Sequence, residues 1–121
     1  FPLMENTIKN AVVDRYIFDG TLKVVKEDAA DVILKGSVVH YRRDILRSSS
    51  GDDPEEYRVT VFVDLTLTDA KTGALIWEKK NFGGDSTYYT TGQYVKTESE
   101  AIQDAMTDLA RRIVEATVET W

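Results

Sequence analysis

Cysteine is absent from this chain of 121 residues and histidine occurs once, so several kinds of chemistry are excluded at the outset. Without cysteine there is no disulfide, no thiolate metal site and no thiol nucleophile. The single histidine, His40, has no second histidine with which to hold a metal ion. Cysteine-free domains occur both in the cytosol and among exported proteins, so the absence of cysteine does not indicate the cellular compartment.

Positive charge and long apolar runs are also scarce. The 15 Lys and Arg residues are outnumbered by 21 Asp and Glu, and the net charge of -6 speaks against general nucleic-acid binding. No stretch approaches the roughly 20 apolar residues of a membrane-spanning helix. The chain opens on Phe1-Pro2, with neither Met nor a signal peptide, so we expect a processed or trimmed fragment.

The chain does contain enough apolar material for a core. Its length corresponds to one domain on the usual scale of about 100–200 residues per domain. Hydrophobic residues make up 42% of the sequence, which is sufficient for a stable core without disulfide bonds or a structural metal ion. We therefore predict one domain over residues 1–121.

Two segments have the apolar spacing of amphipathic helices. Residues 4–18 carry one apolar stripe, and Asp19-Gly20 predicts the end of that helix. Thr97 and Glu100 have the spacing of a capping box, which predicts a second helix from there to about Glu119. The apolar stripe of the second helix is wide enough to lie on a sheet, and it contains Ile102, Ala105, Met106, Leu109, Ile113, Val114 and Val118.

Four other segments favour strands. A short strand is predicted over residues 22–25 and a longer one over 31–46, in which Gly36 indicates a bulge or a closely approaching neighbour. The clearest alternation lies at residues 57–67, where the odd-numbered side chains are apolar and are expected to face the helices. A further strand is predicted over 74–82. Loops or turns are predicted at 48–54, 69–73 and 83–96.

These elements predict an α+β fold, in which two helices pack on one face of a mixed, mostly antiparallel sheet of about four strands. The sequence offers little sign of catalysis, and we predict no catalytic residue, metal or cofactor. His40 is expected to be a packing or surface residue of the sheet, and Gly83-Gly84, which no Lys-Ser/Thr follows, is expected to end a strand. The acidic hairpin tip indicates a solvated turn more than a Ca²⁺ site or an acid–base pair, and it contains Asp52, Asp53, Glu55 and Glu56.

Three arginines near the end of the second predicted strand form the main cluster of positive charge in the sequence, which we call the basic cluster. One interpretation is cross-strand pairing with Glu55, Glu56 or their neighbours, which stabilises little at a surface. The other is an anion site for a phosphorylated lipid or sugar, because guanidinium groups bind phosphate through two hydrogen bonds. The candidates for this anion site are Arg42, Arg43 and Arg47, followed by Lys79 and Lys80.

Tyrosines are concentrated in the predicted loop at 83–96. Tyr88, Tyr89 and Tyr94 are large amphipathic side chains with few rotatable bonds, which suits a protein interface. Packing of the loop back onto the sheet is the alternative. These three residues are the candidates for contact with a protein partner.

Several short motifs follow one another in an informative order. Asp-Gly-Thr-Leu-Lys-Val-Val at 19–25 precedes Ala-Asp-Val-Ile-Leu-Lys-Gly at 30–36, and Glu-Tyr-Arg-Val-Thr-Val stands at 56–61. The turn at 69–73 leads to Ile-Trp-Glu at 76–78, and the last helix carries Leu-Ala-Arg-Arg-Ile at 109–113. In this order and spacing they resemble the LptE-type family of lipopolysaccharide-assembly outer-membrane lipoproteins, from about Leu3 to Trp121. Members normally begin with a lipid-modified Cys and a first strand, of which only Phe1-Pro2 is a candidate remnant here.

The resemblance implies a non-enzymatic lipoprotein of the outer membrane that faces the periplasm and is held by an N-terminal lipid anchor not present in this chain. It implies that the domain plugs and supports the β-barrel that exports lipopolysaccharide, with a secondary contact to the anionic lipid A region. A different periplasmic interaction lipoprotein, such as a regulator of a cell-wall synthase, is the alternative. An enzyme with an unfamiliar carboxylate site is the least favoured interpretation.

Overall fold

The computed structural model describes residues 2–48, 54–92 and 95–120. Its elements in chain order are α1 (Pro2–Asp19), a 3₁₀ turn (Glu27–Ala29), β1 (Val32–Ser48), β2 (Pro54–Asp69), β3 (Leu75–Tyr89) and α2 (Glu98–Val118). The three strands form one antiparallel sheet in the order β1-β2-β3, and α1 and α2 contribute to one core on the same face of that sheet. The predicted α+β class is confirmed, with three strands among the described residues instead of about four.

The predicted strand at residues 22–25 is wrong. This segment belongs to the connection between α1 and β1, and it pairs with no described strand. Val24 and Val25 are 51% and 50% exposed. Strand propensity describes how well a side chain fits a half-buried pleated surface, so apolar, β-branched composition does not by itself create a pairing partner.

The core forms where the helices cover the odd-numbered residues of β2, as the alternation predicts. Val59 and Val61 are fully buried, and Val63, Leu65 and Leu67 are at most 3% exposed. The buried positions of α2 supply the opposite wall, and they include Ala101, Ala105, Met106, Leu109, Ile113 and Val114. The face assignment of this strand is therefore confirmed.

The predicted loop at 83–96 is wrong in its first half, because β3 continues to Tyr89. Gly83 and Gly84 lie within the strand and do not end it, opposite Phe62 and Val61 of β2. A Cβ added to Gly84 would lie 2.5 Å from the backbone nitrogen of Leu109, so α2 crosses the sheet directly over this residue. The apolar alternation is missing here because the helix backbone occupies the space that a side chain would need.

Gly36 in β1 also marks a close approach, as one of its two interpretations predicted. A Cβ at this position would lie 2.9 Å from Cδ2 of Leu65 on the neighbouring strand. The first of the irregularities in the β1–β2 register lies further along, between Val38 and His40. Val39 is therefore the extra residue of a β-bulge, which shifts the side-chain alternation of β1 by one position.

Helix α2 begins at the predicted capping box. The Thr97 hydroxyl accepts a hydrogen bond from the Glu100 N–H at 3.1 Å, and the Glu100 carboxylate accepts one from the Thr97 N–H at 3.2 Å. Helix α1 packs against α2, where the hydroxyls of Tyr16 and Thr117 lie 2.6 Å apart. Burial raises the pKa of Tyr16 above its ordinary value. Neither helix, over the residues described, has the length and apolarity needed to cross a membrane.

Candidate functional site

The arginines that are neighbours in the sequence lie on opposite sides of the sheet. Arg42 pairs across the ladder with Thr60, and its guanidinium lies 5.2 Å from the Phe62 ring. Arg43 pairs with the buried Val59 and faces the helices. We call the uncovered side of the sheet the outer face; it carries His40, Arg42, Thr60, Phe62, Asp64 and Lys80.

Arg43 takes part in a polar network that ties β1 to the start of α2. Its Nη1 donates to Oε1 of Glu98 at 2.8 Å, while the Tyr41 hydroxyl donates to Oε2 of the same carboxylate at 2.7 Å. The hydrogen bond with Tyr88 and the charge of Glu98 raise the pKa of Arg43. Burial, together with the nearby Glu98 carboxylate, raises the pKa of Tyr41. Arg43 therefore has protein partners on the helix side.

Arg42 lies in an aromatic and charged cluster on the outer face. Its Nε forms an ion pair with Asp44, two residues along the same strand, at 2.9 Å. His40 stacks on Phe62 with their ring centroids 5.7 Å apart, so Phe62 contacts both His40 and Arg42. The His40 side chain is exposed, which agrees with its expected place on the surface of the sheet. Arg42 keeps 53% of its side-chain surface accessible to solvent.

Arg47 forms the cross-strand pair that the sequence suggests. Its Nε lies 3.6 Å from Oε2 of Glu55 on β2, and its guanidinium lies 5.9 Å from the Tyr89 ring on β3. The Arg47 side chain is 60% exposed, so the ion pair is solvated and stabilises the fold little. Such a guanidinium can exchange its carboxylate partner for another anion at small cost.

The two lysines of β3 also lie on opposite sides of the sheet. Lys79 faces the helices, where its ammonium lies 5.2 Å from the Trp77 ring and 6.0 Å from that of Phe82. Lys80 lies on the outer face, 3.5 Å from Asp64 and 3.7 Å from Glu78. Of the five basic candidates, Arg42 and Lys80 therefore share the outer face, whereas Arg43 and Lys79 do not.

The tyrosine candidates have different environments. Tyr88 is 4% exposed and stacks on Tyr57 with the ring centroids 5.3 Å apart, so its side chain packs into the core. This is the alternative of packing onto the sheet, and we leave Tyr88 out of the candidate interface. Tyr89 is half-buried, and its carbonyl accepts a hydrogen bond from the Lys96 N–H at 3.0 Å. Tyr94 lies outside the described residues, as do Asp52 and Asp53.

Titratable side chains do not assemble into a metal site within the described ranges. No group of three or more His, Asp or Glu residues is placed there to hold an ion. Asp69, for example, forms a turn: its carboxylate accepts from the backbone N–H groups of Thr72 and Lys71 at 3.0 and 2.8 Å. Those backbone hydrogen bonds lower the pKa of Asp69.

A cleft that sequence reasoning missed lies between α1, residues 22–31 and the β1 side of the sheet. Its volume is about 1280 Å³, and most of its lining is aliphatic, including Ile8, Val12, Leu34, Val38 and Leu65. Each lining segment could be recognised as apolar from the sequence. That they surround a space, instead of closing on one another, depends on tertiary packing and has no local signal.

Comparison with known proteins identifies the family. The family model LptE, described as lipopolysaccharide-assembly, matches residues 2–117. The chain belongs to this family. The recognition made from its short motifs is therefore confirmed.

Two solved structures have the same fold as this LptE-family chain. A lipoprotein of Caulobacter crescentus aligns with a TM-score of 0.60 and 17% identity, over 96% of this chain and 81% of its own. The rare lipoprotein B of Shewanella oneidensis aligns with a TM-score of 0.60 and 18% identity, over 93% of this chain and 86% of its own. A search of curated proteins found no match. At these identities the two structures support the fold alone.

Proposed function

We propose that this LptE-family protein is a non-enzymatic outer-membrane lipoprotein that plugs and supports the β-barrel through which lipopolysaccharide reaches the cell surface. The observation that carries the proposal is the match of the family model to residues 2–117. The protein would face the periplasm, with the full-length form held by an N-terminal lipid anchor. The outer face of the sheet, which α1 and α2 leave uncovered, offers an extended polar surface for such a contact.

We further propose that basic residues of the domain contact the phosphates of lipid A. On the outer face, Arg42 and Lys80 are exposed, and their carboxylate partners among the described residues are themselves exposed or half-exposed. Arg47 is in a similar state near the end of β1, whereas Arg43 and Lys79 are engaged on the helix side. At about 0.15 M salt the screening length is about 8 Å, so these local cations outweigh the distant excess of acidic residues. Tyr89 and Tyr94 remain the candidates for contact with the barrel.

Purification from native membranes tests the proposed partner. The full-length protein, extracted in mild detergent, is expected to bring down a large β-barrel protein in stoichiometric amount. Recovery of a penicillin-binding protein instead would favour the alternative, a regulator of cell-wall synthesis. Recovery of neither protein would contradict both proposals. A matched extraction of membranes that lack the tagged protein controls for adventitious capture.

Charge reversal tests the proposed lipid A contact. Arg42→Glu should weaken lipopolysaccharide binding about tenfold or more, because hydrogen bonds to charged groups contribute about 1.5–3 kcal/mol. Arg43→Glu should mainly lower thermal stability, since it places a second carboxylate beside Glu98. Binding is measured by titration with lipopolysaccharide and stability by circular dichroism. Lys26→Glu, an equal charge change in the exposed connection before β1, is the control.

The two arginine variants separate the interpretations of the basic cluster. If Arg42→Glu and Arg43→Glu both bind lipopolysaccharide at the parental strength, the anion site is not at this cluster. Lys80→Glu would then be the next variant to measure. If Lys26→Glu weakens binding as much as Arg42→Glu, the effect is one of net charge and the outer face has no special role.

A further inference from the structure

The fold brings an arginine of β2 close to Arg42 on the outer face. Arg58 lies opposite Asp44 of β1 and Thr87 of β3, and its side chain is exposed. Within the described part of the chain, no hydrogen bond, ion pair or ring contact to its guanidinium is found. Sequence reasoning missed Arg58 because it stands alone in its strand, far along the chain from the other arginines.

Arg42 and Arg58 are diagonal neighbours across the β1–β2 ladder. Arg42 lies opposite Thr60, and Arg58 is two residues away from Thr60 on the same face of β2. Residues in this relation are about 7–8 Å apart, a distance that long side chains can bridge. Both guanidinium groups can therefore reach a single small anion above the sheet.

One carboxylate lies between the two arginines. Asp44 is opposite Arg58 and two residues after Arg42, whose Nε donates to it at 2.9 Å. Among the described residues the Nη nitrogens of Arg42 have no hydrogen-bond partner, and the Phe62 ring lies 5.2 Å from the guanidinium. Because two cations share one carboxylate, Asp44 cannot neutralise both of them.

Two further carboxylates lie near Arg58 but do not pair with it. Glu56 is two residues before Arg58 on β2, and Asp85 is its diagonal neighbour on β3. Neither forms an ion pair with Arg58 in the part of the chain that the structure describes. These carboxylates repel an anion from the β3 side and from the hairpin end. The favourable position for an anion is therefore above β1 and β2, between Arg42 and Arg58.

We propose that Arg42 and Arg58 together bind one phosphate group of a lipid headgroup, and that the Asp44 carboxylate takes its place when no lipid is bound. The inference rests on the proposed lipid A contact and adds to it a second arginine and an internal competitor. A guanidinium can bind phosphate through two parallel hydrogen bonds, whereas Asp44 receives one from Arg42. Because the Asp44 side chain is 42% exposed, it can turn into water when a phosphate binds.

Substitution of Arg58 tests the shared phosphate site. Arg58→Ala should weaken lipopolysaccharide binding about tenfold, the effect of losing one hydrogen bond between charged groups. Arg58→Lys keeps the charge without the planar fork, so it should recover only part of the affinity. The control is Lys35→Ala, which removes an equal charge from the outer face about 20 Å away, opposite Thr66, and should bind like the parent. Titration calorimetry measures the affinity, and a thermal melt checks that each variant is folded.

The outcomes separate this inference from the proposal on which it rests. If Arg58→Ala binds as tightly as Lys35→Ala while Arg42→Glu binds weakly, the lipid A contact stands and Arg58 has no part in it. If the parent itself binds no lipopolysaccharide, the lipid A contact fails and the inference fails with it. Lipid A without its phosphates should bind the parent and Arg58→Ala equally, and a difference there would contradict a phosphate site. Displacement of lipopolysaccharide by an equal concentration of inorganic phosphate would overturn the assignment to a lipid headgroup.

A double-mutant cycle tests whether the two arginines bind the same phosphate. Arg42→Ala/Arg58→Ala should lose clearly less affinity than the product of the two single losses, because removal of either arginine already opens the shared site. A double variant that loses the full product would show that the arginines act on separate groups, which contradicts the inference.

Asp44→Asn tests the internal competitor. With the carboxylate replaced by a neutral amide, lipopolysaccharide should bind about threefold more tightly, in line with the small contribution of an exposed ion pair that no longer has to be broken. The control is Glu115→Gln, an equal charge change on α2, where Glu115 pairs with Arg111. Unchanged affinity in Asp44→Asn, or an equal gain in both variants, would overturn the inference that Asp44 competes with the phosphate.

Discussion

Gly84→Ala is expected to destabilise the protein by about 3 kcal/mol or more, the upper end of what overpacking a core costs. The added methyl group would lie 2.5 Å from both the backbone nitrogen and Cβ of Leu109 and 2.6 Å from its Cα. A backbone cannot move aside as the end of a side chain can, so α2 would have to lift from β3. Because native proteins are stable by only about 5–15 kcal/mol, this is a large fraction of the total. Urea unfolding followed by circular dichroism measures the change.

The neighbouring glycine provides a matched control for Gly84→Ala. A Cβ on Gly83 would meet Phe62 ring atoms at 3.1 and 3.2 Å and Cγ2 of Thr60 at 3.4 Å, on the other side of the sheet. These are side-chain atoms, and small rotations can relieve the contacts, so Gly83→Ala should cost clearly less. If both variants unfold at the same urea concentration, the close approach of α2 to β3 is not what requires glycine at position 84.

The elements that could be predicted from the sequence are those with a complete local signal. β2 carries its own alternation because one of its faces is buried along most of its length. The capping box of α2 lies within four residues, and both of its hydrogen bonds form as expected. In each case the interacting groups, or the pattern they leave, are close together in the chain. No knowledge of the rest of the fold is needed to recognise them.

The second half of β3 could not be predicted for the opposite reason. Gly83 and Gly84 read as a strand end because glycine is unfavourable in strands and common in turns. Here Gly84 is required by Leu109, which lies 25 residues further along the sequence. The apolar and polar side chains of this segment therefore fail to alternate because of a long-range contact with α2. A prediction that uses only the local sequence assigns the same residues to a loop.

The candidate anion site shows a similar limit. Arg42 and Arg43 are adjacent in the sequence, and adjacent residues in a strand point to opposite faces. Which of them faces the helices depends on the bulge at Val39, since an unbroken alternation from the buried Val38 would place His40 and Arg42 on the helix side. Nothing in the local sequence marks this bulge. The cluster in the sequence is therefore divided by the sheet into two separate environments.

Val61→Asp is expected to abolish cooperative folding. Val61 is fully buried between Tyr41 and Gly84 in the middle of β2. An aspartate there would be either charged without a partner or protonated without hydrogen bonds, and either state costs several kcal/mol on top of the lost packing. The expected result is a far-ultraviolet spectrum without a cooperative thermal transition. A melting curve like that of the parent would show that the odd-numbered residues of β2 do not face the core.

Two further variants distinguish burial from a general effect of negative charge on β2. Thr66→Asp places the same carboxylate on the outer face of β2, where the side chain is only half-buried, and it should keep a cooperative melt. Val61→Ala removes two methyl groups and adds no charge, so it should remain folded and lose roughly 2 kcal/mol, from about 0.8 kcal/mol per buried methylene plus a cavity term. The expected order of stability is Thr66→Asp, then Val61→Ala, then Val61→Asp. A Thr66→Asp protein as disordered as Val61→Asp would mean that added charge alone disrupts β2, whichever face carries it.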